Sequence, residues 1–225
     1  MTSDSQNSVG RAARPFVRWA TAAEILLIYA GILLYIWRWQ VTYPRVWMLL
    51  LGTVLLSQTL RRESPRDLGL TSKGLRGSAR IVLPLAAALY APALLYGFAT
   101  HSLVLIAPNK RTLVSLVGYM LWCLFQQYVT QSYFHVRLMS FLTNRHLRSL
   151  AVALMFGGAH LPNLILTVAT FVGGFILAQV FARHRNIWPL ALAQAAGGFL
   201  IAALSPAALI HNMRVGPGYY FYDFR

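Results

Sequence analysis

The chain has 225 residues, of which 57% are hydrophobic and 11% charged; an ordinary soluble domain carries about 25% charged residues. That composition excludes a conventional soluble enzyme and leaves no room for a second soluble domain. The net charge of +15, from 20 Lys and Arg against 5 Asp and Glu, falls between the apolar runs, so it reads as the loop bias of a membrane protein, and no nucleic-acid partner is expected.

The first eighteen residues are polar and basic, with Arg11, Arg14 and Arg18, and are expected to form a cytoplasmic tail. Residues 19–39 are apolar, long enough to span and flanked by Trp19 and Trp39. No small-residue cleavage site is evident, so this is a retained first helix rather than a removed signal peptide. A second helix is expected at 45–60. The loop 61–80, rich in Arg and Lys and punctuated by Pro65, Gly69, Gly74 and Gly77, is expected to lie along an anionic membrane surface, where each basic residue contributes about 1 kcal/mol.

A third helix is expected at 81–106, kinked but not ended by Pro84 and Pro92, and a fourth at 113–134. Cys123, the single cysteine, cannot form an internal disulfide and reads as a small core residue. The fifth segment, 149–161, is short for a span. It ends at Leu161-Pro162, because the residue before a proline is pushed out of helical geometry, and its course is either tilted or re-entrant. The sixth and seventh segments are 164–182 and 188–210. The tail, 211–225, reads as a turn at Val215-Gly216-Pro217-Gly218 and an interfacial aromatic anchor at Tyr219-Tyr220-Phe221-Tyr222. The fold class is all-α, a polytopic membrane protein with about seven transmembrane or re-entrant helices within 19–210.

With the N-terminus inside, six basic residues, Arg38, Arg45, Lys110, Arg111, Arg214 and Arg225, fall outside and the other fourteen inside. The excess favours a cytoplasmic N-terminus. The tail is then external, and an even helix count reverses it.

Three polar clusters interrupt the apolar helices: Gln126-Gln127-Tyr128-Val129-Thr130-Gln131, Phe156-Gly157-Gly158-Ala159-His160-Leu161-Pro162-Asn163, and Trp188 to Gln194. Amides and imidazoles are costly in a bilayer and face a bundle interior or a wet cavity. At 1.5 Å per helical residue, Gln126 lies about 13 Å deep, Gln194 about 9 Å and His160 about 16 Å, so a shared polar cavity is geometrically reasonable. Gln127 and Gln131 share a helix face at i, i+4. These glutamines either line that cavity or glue helices by inter-helix hydrogen bonds. His160 is a site residue or a packing histidine. Asn163 caps the next helix or joins the cluster. Gly157-Gly158 and Gly173-Gly174 allow close helix approach.

Glu24, the lone acid in an apolar segment, either reaches the cavity as a base or sits near the headgroups, pairing with Arg18 or capping its turn. His135 is a further candidate base. No His-Glu-x-x-His is present, and the histidines at 101, 146, 184 and 211 have no ligand spacing, so no metal and no cofactor is expected.

The order and spacing of these clusters resemble the CPBP family, the CAAX-protease and bacteriocin-processing group of glutamate-dependent intramembrane proteases. The family's first motif is Glu-Glu-x-x-x-Arg, followed by a Gly, an aromatic and an Arg-Leu pair. Here it reads Gln126-Gln127-Tyr128-Val129-Thr130-Gln131, then Ser132, Tyr133 and Arg137-Leu138. The second, Phe-x-x-x-His, is intact as Phe156 and His160. The third is Trp-Pro, then His, then Asn three residues later. Trp188-Pro189 stand, the His position is Gln194 and the Asn position is Gly197. Arg66-Asp67-Leu68-Gly69-Leu70 looks like the segment preceding the family's core, and the resemblance covers roughly 64–205.

By that resemblance, a motif-one glutamate activates water, the motif-two His assists, and the third-motif His and Asn stabilise the oxyanion. Carried over by position, the catalytic candidates are His160, Gln126, Gln127 and Gln194, with Gln131, Phe156 and Asn163 as substrate contacts. An amide is not a general base at neutral pH, whereas Gln194 can donate an N–H to an oxyanion. Gln131 in place of the motif Arg is consistent with this, since a buried guanidinium would lack its carboxylate partner.

The resemblance implies either a peptidase with altered chemistry acting on membrane or prenylated peptides, or a catalytically inactive pseudoprotease that binds or regulates a membrane client. A small transporter is disfavoured by the lack of buried charges for ion coupling and of a visible repeat. Expected partners are membrane lipids and a transmembrane or lipidated peptide, and the expected location is the plasma (inner) membrane of a prokaryote.

Overall fold

The computed structural model describes residues 3–103 and 109–221, all helix, turn or loop, with no strand among them. Helix α1 (Ser3–Leu34) continues through a π-helical segment, Tyr35–Trp39, and a last turn, Gln40–Thr42. Then come α2 (Val46–Leu60), α3 (Leu75–Ala99) and α4 (Lys110–Gln127). The last runs on through a second π-helical segment, Tyr128–His135, to Leu138. Helices α5 (Arg145–Gly158), α6 (Leu164–His184) and α7 (Trp188–Leu204) complete the bundle.

Val17–Thr42, Leu75–Ala99, Thr112–Leu138 and Leu164–His184 are each long and apolar enough to cross a bilayer, and α2 and α7 are apolar but shorter. Leu83, Leu89, Leu94 and Leu95 on α3 are exposed, as expected of a surface solvated by lipid tails. Helix α5, with 14 residues, covers about 21 Å, short of the roughly 30 Å hydrocarbon core. It runs antiparallel to α6: a Cβ on Gly157 would lie 3.0 Å from Phe171 Cβ, and one on Gly174 3.1 Å from Phe156 Cδ1. The missing side chains allow that approach.

Two apolar cores hold the bundle. Val82, Leu177, Val180, Phe181, Ile187, Leu190 and Ala193 join α3, α6 and α7. Ile25, Ile28, Val54, Tyr133 and Phe134 join α1, α2 and the second π-helical segment. Cys123 is a free thiol in the interior.

Most boundaries lie near those expected. The first helix departs most: it begins at Ser3, within the expected tail, and continues to Thr42. Other differences have local causes. The third helix starts at Leu75, not 81, because Gly74 turns the chain at φ +78° and Ser78 is buried, its hydroxyl donating to Asn186 O at 3.5 Å. It continues through Pro84 and Pro92 to Ala99, before His101 at φ +53°. The expected end at 104–106 lies outside the described residues, as do Tyr222 to Arg225 of the tail. Asn109 and Asn144 cap α4 and α5, which begin earlier than expected. The seventh helix ends at Leu204, not 210, since Ser205 precedes Pro206 and adopts extended geometry.

The segment 66–70 is pinned at one end of the bundle. Ser132 Oγ donates to Leu68 O at 2.5 Å, Ile187 N to Gly69 O at 3.1 Å and Trp188 Nε1 to Leu70 O at 3.1 Å. Gly69 has φ +74° and no room for a Cβ beside Phe181, so glycine is required there.

Candidate active site

Gln126 and Gln127 close the last α-helical turn of α4, immediately before the π-helical segment, a feature found often at functional sites. Gln194 faces them from α7. Gln127 Nε2 donates to Gln194 Oε1 at 2.7 Å, and Gln194 Nε2 donates to Gln126 Oε1 at 2.5 Å. Three amides thus form one hydrogen-bonded chain between two helices. Gln127 is fully buried, and its own Oε1 has no partner.

This chain borders a cavity of about 690 Å³ lined by Gln126, Gln194, Phe156, His160, Gly197 and Tyr90 together with apolar side chains of α3, α6 and α7. A second cavity of about 170 Å³, between α1, α2 and α4, is also lined by Gln126, Phe156 and His160. The larger is within the usual range for small-ligand sites, about 300–1,000 Å³. His160 lies in the turn after α5, its ring edge-on to Phe156 at 4.9 Å, and Nδ1 is 2.7 Å from Phe156 O. A carbonyl only accepts, so Nδ1 carries the proton and the lone pair is on Nε2.

Four expected site residues, Gln126, Gln194, Phe156 and His160, therefore meet at one cavity, with Gln127 behind them. Two do not. Gln131 is buried and bonded to His135 Nδ1 at 3.0 Å, away from the lining. Asn163 caps α6 by accepting from Leu166 N at 3.2 Å, and its Nδ2 donates to Ile210 O at 2.8 Å and Arg214 O at 3.2 Å, holding the C-terminal segment. His135 packs against Phe181 and is also outside the lining.

Glu24 does not line either cavity. It accepts from Arg61 at 2.5 Å, Arg137 Nε at 3.2 Å, Ser57 Oγ at 2.5 Å and Tyr133 Oη at 2.9 Å, while Arg18 stacks over Phe141 instead. Arg137, nearly buried, also pairs with Glu63. An acid in an apolar helix signals that a cation must reach it, but helix order alone does not say that Arg137, more than a hundred residues on, would be that cation.

Tyr90 was invisible to motif reasoning. Its hydroxyl donates to Ala193 O at 3.1 Å and stands 2.6 Å from where a Cβ on Gly197 would be, so a tyrosine from α3 fills the space of the motif asparagine. Among the described residues no group of three His, Cys, Asp or Glu is placed to hold a metal ion.

The model of the family described as Type II CAAX prenyl endopeptidase Rce1-like matches residues 75–200, which include all three polar clusters. No curated protein and no solved structure matches the chain.

Proposed function

The chain belongs to the Rce1-like family of type II CAAX prenyl endopeptidases, and from that premise we propose that its cavity receives a membrane-embedded or prenylated peptide and hydrolyses it only slowly, with His160 as the base. The observation that carries this reading is that amides occupy both motif glutamate positions, with no carboxylate among the described residues that line either cavity. The Nε2 of His160 is then the proton acceptor left beside them.

In this reaction a water oxygen attacks the scissile carbonyl carbon while Nε2 of His160 takes its proton. The oxyanion is bound by the second N–H of Gln194, whose first is used on Gln126. The intermediate collapses with cleavage of the C–N bond, and the imidazolium returns the proton to the leaving amine. Loss of the usual carboxylate reduces the rate by about 10²–10⁴, the typical scale of general-base catalysis. Gln131 and Asn163, set apart from the lining, act by supporting the helices rather than by touching the peptide. The charge bias of the loops supports a cytoplasmic N-terminus; the membrane is taken to be the plasma (inner) membrane of a prokaryote as part of the same proposal.

A second reading, a pseudoprotease that binds a client without turnover, is favoured by the burial of Gln127 and its commitment to Gln194. Purified protein in lipid, given single-span and prenylated reporter peptides, separates the two when His160→Ala and Gln126→Glu are run alongside. Slow cleavage lost in His160→Ala supports the enzyme, and cleavage retained there overturns His160 as base. Binding without cleavage, with turnover gained in Gln126→Glu, establishes the pseudoprotease.

A further inference from the structure

A second polar constellation lies outside the cavities, where the start of α5, the end of α6 and the end of the second π-helical segment meet. Arg148 is 7% exposed. Its Nη1 donates to Leu142 O at 2.8 Å, while Nε is buried with no partner. Among the described residues no carboxylate lies within ion-pair distance of it. His135, 1% exposed, has Nε2 buried and likewise unpartnered. The charges that act on His135 are those of Arg148 and Arg185, and Arg185 also acts on Arg148. The nearest acid in the ion-pair set is Asp67, 3.9 Å from Arg185 Nη1 and itself largely exposed.

Elsewhere in this protein a buried guanidinium is neutralised: Arg137 has both Glu24 and Glu63. A buried charge without such a partner is strongly unfavourable. The helix itself adds to the deficit. It opens with Arg145, His146 and Arg148 and has no acid in its first turn, although its N-terminus carries the positive end of the helix dipole. Asn144 already satisfies the amides of His146 and Leu147. Among the described residues, what the place lacks is negative charge.

We propose that Arg148, His135 and Arg185 form a binding site for the phosphate of an anionic membrane phospholipid. The phosphate oxygens accept from Arg148 Nε and from His135 Nε2, whose ring is then doubly protonated because Nδ1 already donates to Gln131 Oε1, and Arg185 closes the site from the exposed side. The acyl chains lie along α5, where Leu147, Leu150 and Leu154 form an exposed apolar stripe at i, i+3 and i+7 spacing, starting beside Arg148 in the sequence. That stripe selects a lipid over a free phosphate. The bound headgroup ties the start of α5 to the end of α6, and the site stands independently of any cleavage activity.

The test is lipid binding by native mass spectrometry on the full chain in detergent, with phosphatidylglycerol, phosphatidylcholine and inorganic phosphate as probes. Arg148→Gln and Arg185→Gln are compared with Arg76→Gln, which removes an equal charge from an exposed position on α3. The expected result is preference for phosphatidylglycerol, weakened about tenfold in Arg148→Gln and Arg185→Gln, the loss of one charge-assisted contact, and unchanged in Arg76→Gln. Equal weakening in all three variants, or none, overturns the site in favour of general surface charge. Inorganic phosphate binding with the same variant dependence and no preference between the lipids overturns the lipid assignment and makes the ligand a soluble anion. If Arg148→Gln does not fold, Arg185→Gln, at a partly exposed side chain, carries the same comparison.

Discussion

Gln127 donates to Gln194 across 2.7 Å between α4 and α7, and this bond replaces whatever charge pairing a glutamate would make there. Gln194 passes the interaction to Gln126 at 2.5 Å. An amide both donates and accepts, so three in series can be linked without a net charge in the bilayer, with Gln127 Oε1 left over. Three carboxylates could not.

Gln194→Leu breaks both bonds and leaves a buried donor on Gln127. The expected destabilisation is about 1–3 kcal/mol per orphaned group, read as a lower thermal midpoint in detergent. With Gln127→Leu added, the two losses fall short of additive, because the residues share one network. Additive losses show that the bond is absent in the folded protein.

Glu24→Ala leaves Arg137, whose side chain is 2% exposed, with Glu63 alone. Removing one partner of a buried ion pair costs about 3–5 kcal/mol, and the sharing with Glu63 places this variant at the lower end. Glu24→Ala with Arg137→Met is expected to recover part of the loss. Thermal unfolding of the single and double variants provides the comparison, and a double variant less stable than Glu24→Ala contradicts it.

Installing the motif asparagine is not a neutral change. The Cβ of Gly197→Asn lands 2.6 Å from Tyr90 Oη, and overpacking of that kind costs about 1–3 kcal/mol. Gly197→Asn combined with Tyr90→Ala is expected to regain stability. Gly198→Ala, with its Cβ 1.9 Å from Tyr119 Oη, is expected to destabilise, whereas Gly118→Ala, with nothing within 4 Å, is expected to stabilise by up to about 1 kcal/mol through helix propensity. Ranking the three midpoints decides.

Asp67, in the loop at one end of the bundle, has its pKa lowered from the ordinary value, first by the hydrogen bond from Ser64 and then by Arg185 and Arg66. A lowered folded pKa means stabilisation that is present above the unfolded value, about 3.9, and is lost as pH falls through the folded one. Because the group is exposed, the effect is small. Between pH 6 and pH 3 the wild type is expected to lose slightly more stability than Asp67→Asn. Identical pH profiles overturn that assignment.

The fold was largely legible. Long apolar runs, prolines and glycines mark helices by composition, and a bilayer admits few alternatives once the runs are counted. The placement of Gln126, Gln194 and His160 in one stratum followed from helical rise alone. Gln131 and Asn163 were harder, because a helical residue's direction depends on its neighbours. The π-helical register after Gln127 turns Gln131 toward His135, and the C-terminal segment turns Asn163 into its clasp.

By itself, then, the sequence determined the membrane-spanning helices, the family and the absence of glutamates at the motif positions, since each depends on residue identity along a continuous stretch. Only the tertiary structure decided which amides touch, that Tyr90 fills the place beside Gly197, that Glu24 belongs to Arg137 and not to the cavity, and that Arg148 has no carboxylate partner among the described residues. Those are relations between helices far apart in the chain, set by side-chain packing and by the need to satisfy each buried polar group, and no local pattern encodes the partner.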